Sequence, residues 1–266
     1  MSKIICIMPC YNAENTIAKA IESIINQDYT NWELIIVDDS STDKSVNVIK
    51  KYLKNPKITL LQNKTNQGCY YSRNRGLYHV KDKEWDWFTI HDSDDISHPT
   101  RFNIYINYSL EGDMDYIYGC GRGNRWNFKQ QKLAYKTSNR LAGQSFISKK
   151  LFTKLGYFDP NTKFGGDTEY EERYKVIVKH IMLEYHKIKD WKEIQKICNV
   201  NQIMICKLPK KYTYLYNMGY QIGSNLTQKY TFEDRENYKK SYLSKYPIQS
   251  PYAEQLYTPF TPLENQ

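Results

Sequence analysis

The sequence predicts an α/β fold in which a mostly parallel central sheet carries helices on both faces. Two observations predict it. Over about the first hundred residues, four apolar runs alternate with stretches whose apolar residues recur at helical spacing. The runs are continuous rather than alternating, as strands covered on both faces are. Three of the four also end in polar signatures, "PCYN", "DDSSTD" and "DSDD". Sheets of this kind bind ligands at the carboxyl ends of their strands, so three distant segments are expected to meet in one crevice.

The elements follow in order. "KIICIMP" (3–9) is an apolar run ended by proline and reads as the first strand. "NAENTIAKAIESIINQ" sets Ile17, Ala20, Ile21, Ile24 and Ile25 at helical spacing behind a capping candidate, Asn12 or Asn15. "WELIIVDDSSTD" is the second strand and "DKSVNVIKKYL" the second helix; "KITLLQN" is the third strand. "GCYYSRNRGLYHV" is a helix opening near Gly68 or Tyr70, and "WDWFTIHDSDD" is the fourth strand. Beyond Pro99, "RFNIYINYSLEGDMDYIYGCGRGNRW" reads as a helix, a strand and a Gly/Arg-rich turn, and "GQSFISKKLFTKLGYFD" as strand, helix and turn. "FGGDTEYEERYKVIVKHI" sets Gly-Gly-Asp before an acid-rich helix, and "DWKEIQKICN" is a further amphipathic piece. From about residue 231 the chain is rich in Tyr, Lys and Pro, which suits an extended arm packed on the body or a disordered tail.

Composition narrows the function classes. No run of about 18 apolar residues exists, and "MSKIICIMPCYN" reaches proline and polar residues too early for a signal-peptide core. The expectation is no transmembrane segment, and a cytoplasmic protein or one peripheral at a membrane face. Six scattered cysteines include no CxxC pair and no zinc-finger spacing, so they read as reduced thiols. Cys10 and Cys69 are the positions open to a catalytic thiol, set against the ordinary reading of cysteine as a small hydrophobe. A formal charge of +9 favours anionic partners. No basic stripe or known module accompanies it, so no nucleic-acid partner is expected.

The acids carry the chemistry. Asp92, Asp94 and Asp95 crowd the end of the fourth strand and call for a compensating cation. Carboxylates are hard ligands suited to Mg²⁺ or Mn²⁺, and Asp-x-Asp at a strand end points two of them the same way. A cation with one or two protein ligands keeps sites open for diphosphate oxygens. The other reading of the cluster is an acidic surface turn. Asp38 and Asp39 suit a base N–H or a ribose hydroxyl, or else helix capping, for which Ser40, Ser41 and Asp43 already serve. With no GxGxxG and no GxxxxGK[ST], a phosphate binder here needs a metal. His91 and His98 flank the acids and are left out of the metal set.

"IMPCYNAENTIAKAIESIINQDYTNWELIIVDDSSTDKS", "NQGCYYSRNRGL", "FTIHDSDDISHPTR", "GQSFISKKLFTKLGYFD" and "FGGDTEYEERY", in this order and at these spacings, resemble the family 2 glycosyltransferases of GT-A fold. The resemblance spans roughly residues 3–230. It implies a Rossmann-like GT-A catalytic domain over 1–230, with a nucleotide-sugar-binding half (1–100), an acceptor half (101–230) and a C-terminal helical or extended extension (231–266). It further implies that Pro9, Tyr11, Asn12 and Glu14 line the nucleotide pocket, that Asp39 binds the base, and that Arg73 belongs to the same side. Asp94 would ligate the metal, Mn²⁺ or Mg²⁺, that grips the diphosphate, Asp92 would contact ribose or metal-bound water, and Asp95 would be a third member. Asp167 would be the general base of an inverting reaction.

Two departures stand out. Gly166 occupies the place of the usual Glu before the base, which makes Glu169 a rival base. In the late block "YLYNMGYQIGSNLTQ", Asn217 stands where a basic residue is expected; either a nearby Lys, such as Lys210 or Lys211, replaces it or the lid works differently. Structural alternatives remain for each site residue: an N-cap for Asp167, a surface ion pair for Arg73, packing for Tyr11 and a first-turn helix acid for Glu14.

The expected activity is transfer of a sugar from a nucleotide-diphosphate sugar, with UDP as carrier, to an acceptor hydroxyl of a glycan, lipid or protein. The alternative is a catalytically weak GT-A-derived module that binds glycan or nucleotide. A sugar-nucleotide pyrophosphorylase would want a glycine-rich basic loop after the first strand, and "PCYNAEN" is neither.

Overall fold

The computed structural model describes residues 1–110, 118–121, 123–127, 132–136, 141–162, 166–167, 169–170, 173, 214–218 and 259–263. Four strands, β1 (Ile4–Cys10), β2 (Trp32–Asp38), β3 (Ile58–Gln62) and β4 (Trp87–Ile90), alternate with helices α1 (Ile17–Ile25), α2 (Ser45–Lys50) and α3 (Cys69–His79). The short strand β5 (Ile96–Ser97), helix α4 (Arg101–Leu110) and strands β6 (Tyr118–Gly121), β7 (Gly123–Asn127), β8 (Lys132–Lys136) and β9 (Leu141–Ser148) follow. Helix α5 (Lys149–Leu155) and strand β10 (Tyr214–Met218) complete the described elements.

The main sheet runs β3-β2-β1-β4-β9-β6, with β1 to β4 parallel and β9 antiparallel to both neighbours. Its apolar strands bury both faces by alternation. Ile5, Ile7, Ile35, Val37, Phe88 and Ile90 face α3 and α5, while Ile4, Cys6, Met8, Leu34 and Ile36 face α1, α2 and α4. A second sheet, β5-β10-β7-β8, is built from the segments after Asp95. Here the Gly/Arg-rich stretch differs from expectation. Gly123–Asn127 is a strand rather than a turn, because it finds partners in β8 and in the distant β10.

Capping also differs. Helix α1 begins at Ile17 behind Thr16, which makes no side-chain cap bond, and neither Asn12 nor Asn15 caps it. The Asn12 side chain turns instead to the neighbouring loop and accepts from the Thr42 N–H at 2.8 Å. Of the groups expected before α2, Asp43 serves, accepting from the Ser45 N–H at 2.9 Å.

Of the 231–266 extension, residues 259–263 are described, and they pack on the body. Phe260 is buried among Tyr71, Tyr78 and Tyr157, with ring centroids 5.2, 6.2 and 5.4 Å away. The Leu263 N–H donates to the Tyr71 hydroxyl at 2.9 Å. Among the described residues no helix is long and apolar enough to cross a membrane. "DWKEIQKICN", Lys210 and Lys211 lie outside the described residues, and Asn217 is described only as part of β10.

Candidate active site

The register of the parallel strands brings the three polar signatures together. Cys10 pairs with Asp38 and Ile7 with Ile90, the Asp39 N–H donates to the Cys10 carbonyl at 2.8 Å, and the His91 N–H donates to the Ile7 carbonyl at 2.9 Å. The loops after β1, β2 and β4 therefore leave the sheet side by side. Pro9 lies buried within β1, beyond the stretch paired with β4, where its missing N–H disturbs no ladder bond. Tyr11 is 40 % exposed at the mouth. Asn12, with a φ of 49°, and Glu14 tie this loop to the next, since the Glu14 carboxylate accepts from the Lys44 N–H at 2.9 Å. Both side chains thus hold the loop in place.

Asp39 is buried and organises the third loop. Its carboxylate accepts from Asn63 Nδ2 at 2.6 Å, from the Gln67 N–H at 2.9 Å and from the Gly68 N–H at 2.7 Å. Gly68 has φ of 92°, a conformation glycine adopts without strain, and it opens α3 with its N–H turned to the acid. Of the neighbouring Asp38, Oδ2 accepts from the Ser41 N–H at 3.3 Å and the buried Oδ1 has no hydrogen-bond partner. A buried carboxylate oxygen left so costs about 1–3 kcal/mol, which makes it an open acceptor beside the crevice.

Arg73 is the hub. It projects from α3, almost fully buried, and its two terminal nitrogens reach two different acids: Nη2 donates to Asp92 Oδ1 at 3.0 Å, and Nη1 to Asp167 Oδ1. Its guanidinium lies over the Tyr70 and Phe158 rings at 5.0 and 5.6 Å. Burial pushes the Asp167 carboxyl above the ordinary aspartate range; Arg73 opposes that shift and Asp92 adds to it. The acid cluster at the end of β4 thus finds part of its compensating cation within the chain.

Glu169, the rival base, is placed differently. It is fully buried and held by both Nε and Nη2 of Arg173, whose remaining donors go to the Leu155 carbonyl at 2.6 Å and the Tyr157 carbonyl at 2.8 Å. A carboxylate so enclosed has no face left for an acceptor hydroxyl. Breaking such a pair leaves an uncompensated buried charge, and Arg173→Ala is expected to lower stability by about 3–5 kcal/mol, read by chemical denaturation. A change under about 1 kcal/mol would contradict this placement.

The Asp-rich segment is a turn in which the Asp95 N–H donates to the Asp92 carbonyl at 3.2 Å and Asp95 is buried, while Asp92 and Asp94 stay partly exposed. Arg101 pins both ends of this turn. Its guanidinium, fully buried, donates to the Ile90 carbonyl at 2.9 Å on one side and to the Ser97 hydroxyl at 2.9 Å on the other. His91 is enclosed in the same network and held well below its usual pKa by burial and by Arg101. Among the described residues no group of three or more His, Cys, Asp or Glu could by itself enclose a metal. Two partly exposed carboxylates, of which Arg73 engages one oxygen of Asp92, fit a hard cation that completes its shell with ligand oxygens.

Burial pushes the Cys10 and Cys69 thiols up to about 12, so neither is a nucleophile at neutral pH. A cavity of about 280 Å³ lies beside the Asp39 loop, lined by Asn63, Lys64, Thr65, Gln67, Tyr71 and Leu263, and its lining includes none of the acids. Asn63, Tyr70 and Arg101 were not singled out by the sequence. Tyr70 and Arg101 had a local signal, lying in the "NQGCYYSRNRGL" and "FTIHDSDDISHPTR" blocks.

The sheet order and the acid turn at the end of β4 define a GT-A transferase fold, and solved structures agree. Staphylococcus aureus TarS (residues 1–349), solved with UDP-GlcNAc, superposes with a TM-score of 0.63 at 19 % identity, covering 91 % of this chain and 66 % of that one. The Pyrobaculum calidifontis mannosyltransferase PcManGT, solved with GDP-Man and Mn²⁺, gives 0.51 at 17 % identity over 66 % and 52 %. At the level of sequence, the glycosyl transferase family 2 model matches residues 5–174, and the chain belongs to that family. EpsE of Bacillus subtilis is 44 % identical over 122 residues, 45 % of this chain and 42 % of that one. The Escherichia coli UDP-Glc:alpha-D-GlcNAc-diphosphoundecaprenol beta-1,3-glucosyltransferase WfgD is 34 % identical over 113 residues, 42 % and 43 % of the two chains. The matches thus take in less than half the length of these relatives.

Proposed function

We propose that this protein is a metal-dependent, inverting glycosyltransferase that moves a sugar from a UDP-sugar to an acceptor hydroxyl. The observation that carries this reading is the single guanidinium of Arg73 bound to both Asp92 and Asp167. It joins the diphosphate-side acid turn to an acid of raised pKa, the pairing an acid–base displacement needs.

Pro9, Tyr11, Asn12, Glu14, Asp39 and Arg73 frame the nucleotide, with Asp92 at the ribose. Asp94 would hold Mn²⁺ or Mg²⁺, which when bound supplies positive charge against the departing diphosphate. Asp167 takes the acceptor proton from within about 3 Å. The acceptor oxygen then bonds to the anomeric carbon from the face opposite the leaving group, and the carbon–oxygen bond to the diphosphate breaks. The products are an inverted glycoside and a nucleoside diphosphate.

The UDP-GlcNAc bound to TarS and the UDP-Glc used by WfgD support the donor, and the diphosphoundecaprenol of WfgD supports a lipid-linked acceptor, at a cytoplasmic membrane face, among the glycan, lipid and protein candidates. The Mn²⁺ of PcManGT supports the metal. In this reading residues 1–230 are the catalytic domain, with nucleotide-sugar and acceptor halves meeting near residue 100, and 231–266 are the extension.

The test is calorimetric titration of UDP, GDP and dTDP with Mn²⁺ and again with EDTA. Metal-dependent binding of UDP in preference to the others is expected. Binding of none would leave a glycan-binding module as the remaining reading, and preference for GDP would replace the donor.

A further inference from the structure

We propose that Tyr70 is a positioning residue for Asp167: its ring sets the depth at which the helical turn carrying Asp167 seats on α3, and so holds the carboxylate on Arg73. The proposal rests on the reading of Asp167 as the base. The geometry is independent of that reading.

Tyr70 and Arg73 are three residues apart on α3 and so share a face. The Tyr70 ring is buried, 6 % exposed, and the Arg73 guanidinium lies 5.0 Å over it. The other side of the ring environment is the backbone of Gly166. A Cβ built on Gly166 would sit 2.7 Å from Tyr70 Cε1, 2.8 Å from Cζ and 2.9 Å from Cδ1. One ring thus touches the residue before Asp167 and the side chain that binds Asp167.

Arg73 Nε is buried with no hydrogen-bond partner, so the guanidinium is set by its two carboxylate arms and the flanking rings of Tyr70 and Phe158. Tyr170 closes the far side of the turn, 4.4 Å from Phe158 and bonded through its hydroxyl to the Gly156 carbonyl at 2.9 Å. The departure from the usual Glu at Gly166 has a physical reason here. Tyr70 fills the volume that a side chain at 166 would enter.

The sign of one substitution tests this. Gly166 lies in helical backbone and is not among the positive-φ glycines, so alanine would ordinarily be the more stable residue there. Against a packed ring the order reverses. In the ¹⁵N-labelled protein, the Arg73 Nη–Hη signals, assigned through Arg73→Lys, report whether both carboxylate arms are made. Asp167→Ala is expected to remove slow exchange from the Nη1 arm, and Gly166→Ala is expected to do the same and to lower Tm. In a Tyr70→Leu background the Gly166→Ala penalty in Tm disappears, while Tyr70→Phe, which keeps the ring, retains the Arg73 signals. If Tyr70→Leu does not fold, Gly166→Ala alone decides. A raised Tm with wild-type Arg73 signals in Gly166→Ala overturns the proposal. Failure of the base reading looks different: Asp167→Asn would keep the wild-type rate of transfer from a UDP-sugar while the Gly166→Ala and Tyr70 results stand.

Discussion

Asp167→Asn is expected to reduce glycosyl transfer by about 10²–10⁴-fold, the range a positioned general base contributes, while metal-dependent UDP binding persists. The asparagine keeps the size and can still meet Arg73 through its amide oxygen, so what it removes is the ability to take a proton. The pH profile carries the sign. The wild-type carboxyl is raised, chiefly by burial, and the base works only when ionised, so activity falls as pH drops through a value above the ordinary aspartate pKa of about 3.9. Stability runs the other way. A folded-state pKa above the unfolded one contributes stability that is fully present below the unfolded value and lost as pH rises through the folded value. Acidification across that window should therefore raise the Asp167 contribution to Tm while activity declines, and Asp167→Asn should lack that component of the Tm slope. An asparagine variant with the wild-type rate, or an acid limb unmoved from the ordinary aspartate range, would sink the assignment.

Asp94→Ala, or EDTA on the wild type, is expected to weaken UDP binding by roughly 100-fold or more, since losing a direct metal ligand exceeds the effect of losing its outer partners. That ratio corresponds to about 2.8 kcal/mol. UMP is the control. It lacks the diphosphate, so its weaker binding should change little with metal or with the substitution. The turn itself should survive, because Arg101 holds both of its ends through Ile90 and Ser97 and Asp94 is partly exposed. UDP affinity indifferent to EDTA would separate this chain from the metal-dependent reading while leaving its place in the family intact.

What the sequence showed and what it hid divide along the range of the interactions. The four parallel strands were legible because their apolar runs are local, and the convergence of Tyr11, Asp38, Asp39 and Asp92 followed from the strand ends alone. The link from Arg73 to Asp167 spans 94 residues and is set by how the turn at Gly166 packs on α3, which no local pattern encodes. Glu169 and Arg173 stand at helical pair spacing, yet that spacing usually marks an exposed pair. Only the carbonyls of Leu155 and Tyr157, brought in by the end of α5, show it to be sealed inside. Asn12 carries the right chemistry for a cap, but Thr42, on a loop after another strand, competes for its side chain. The strand over Gly123–Asn127 was hidden for the same reason, since its partner β10 is some ninety residues away.

The wedge of Phe260 against α3 ties the order of synthesis to the order of folding. Tyr71 and Leu263, joined by a hydrogen bond, are 192 positions apart. At about 5–20 residues per second, roughly 10–40 s pass between their appearances. Throughout that interval the surface of α3 bearing Tyr71 and Tyr78 lacks the cover that Phe260 gives it. The helix that presents Arg73 therefore receives this cover only from the segment reaching Leu263, made 192 positions after Tyr71.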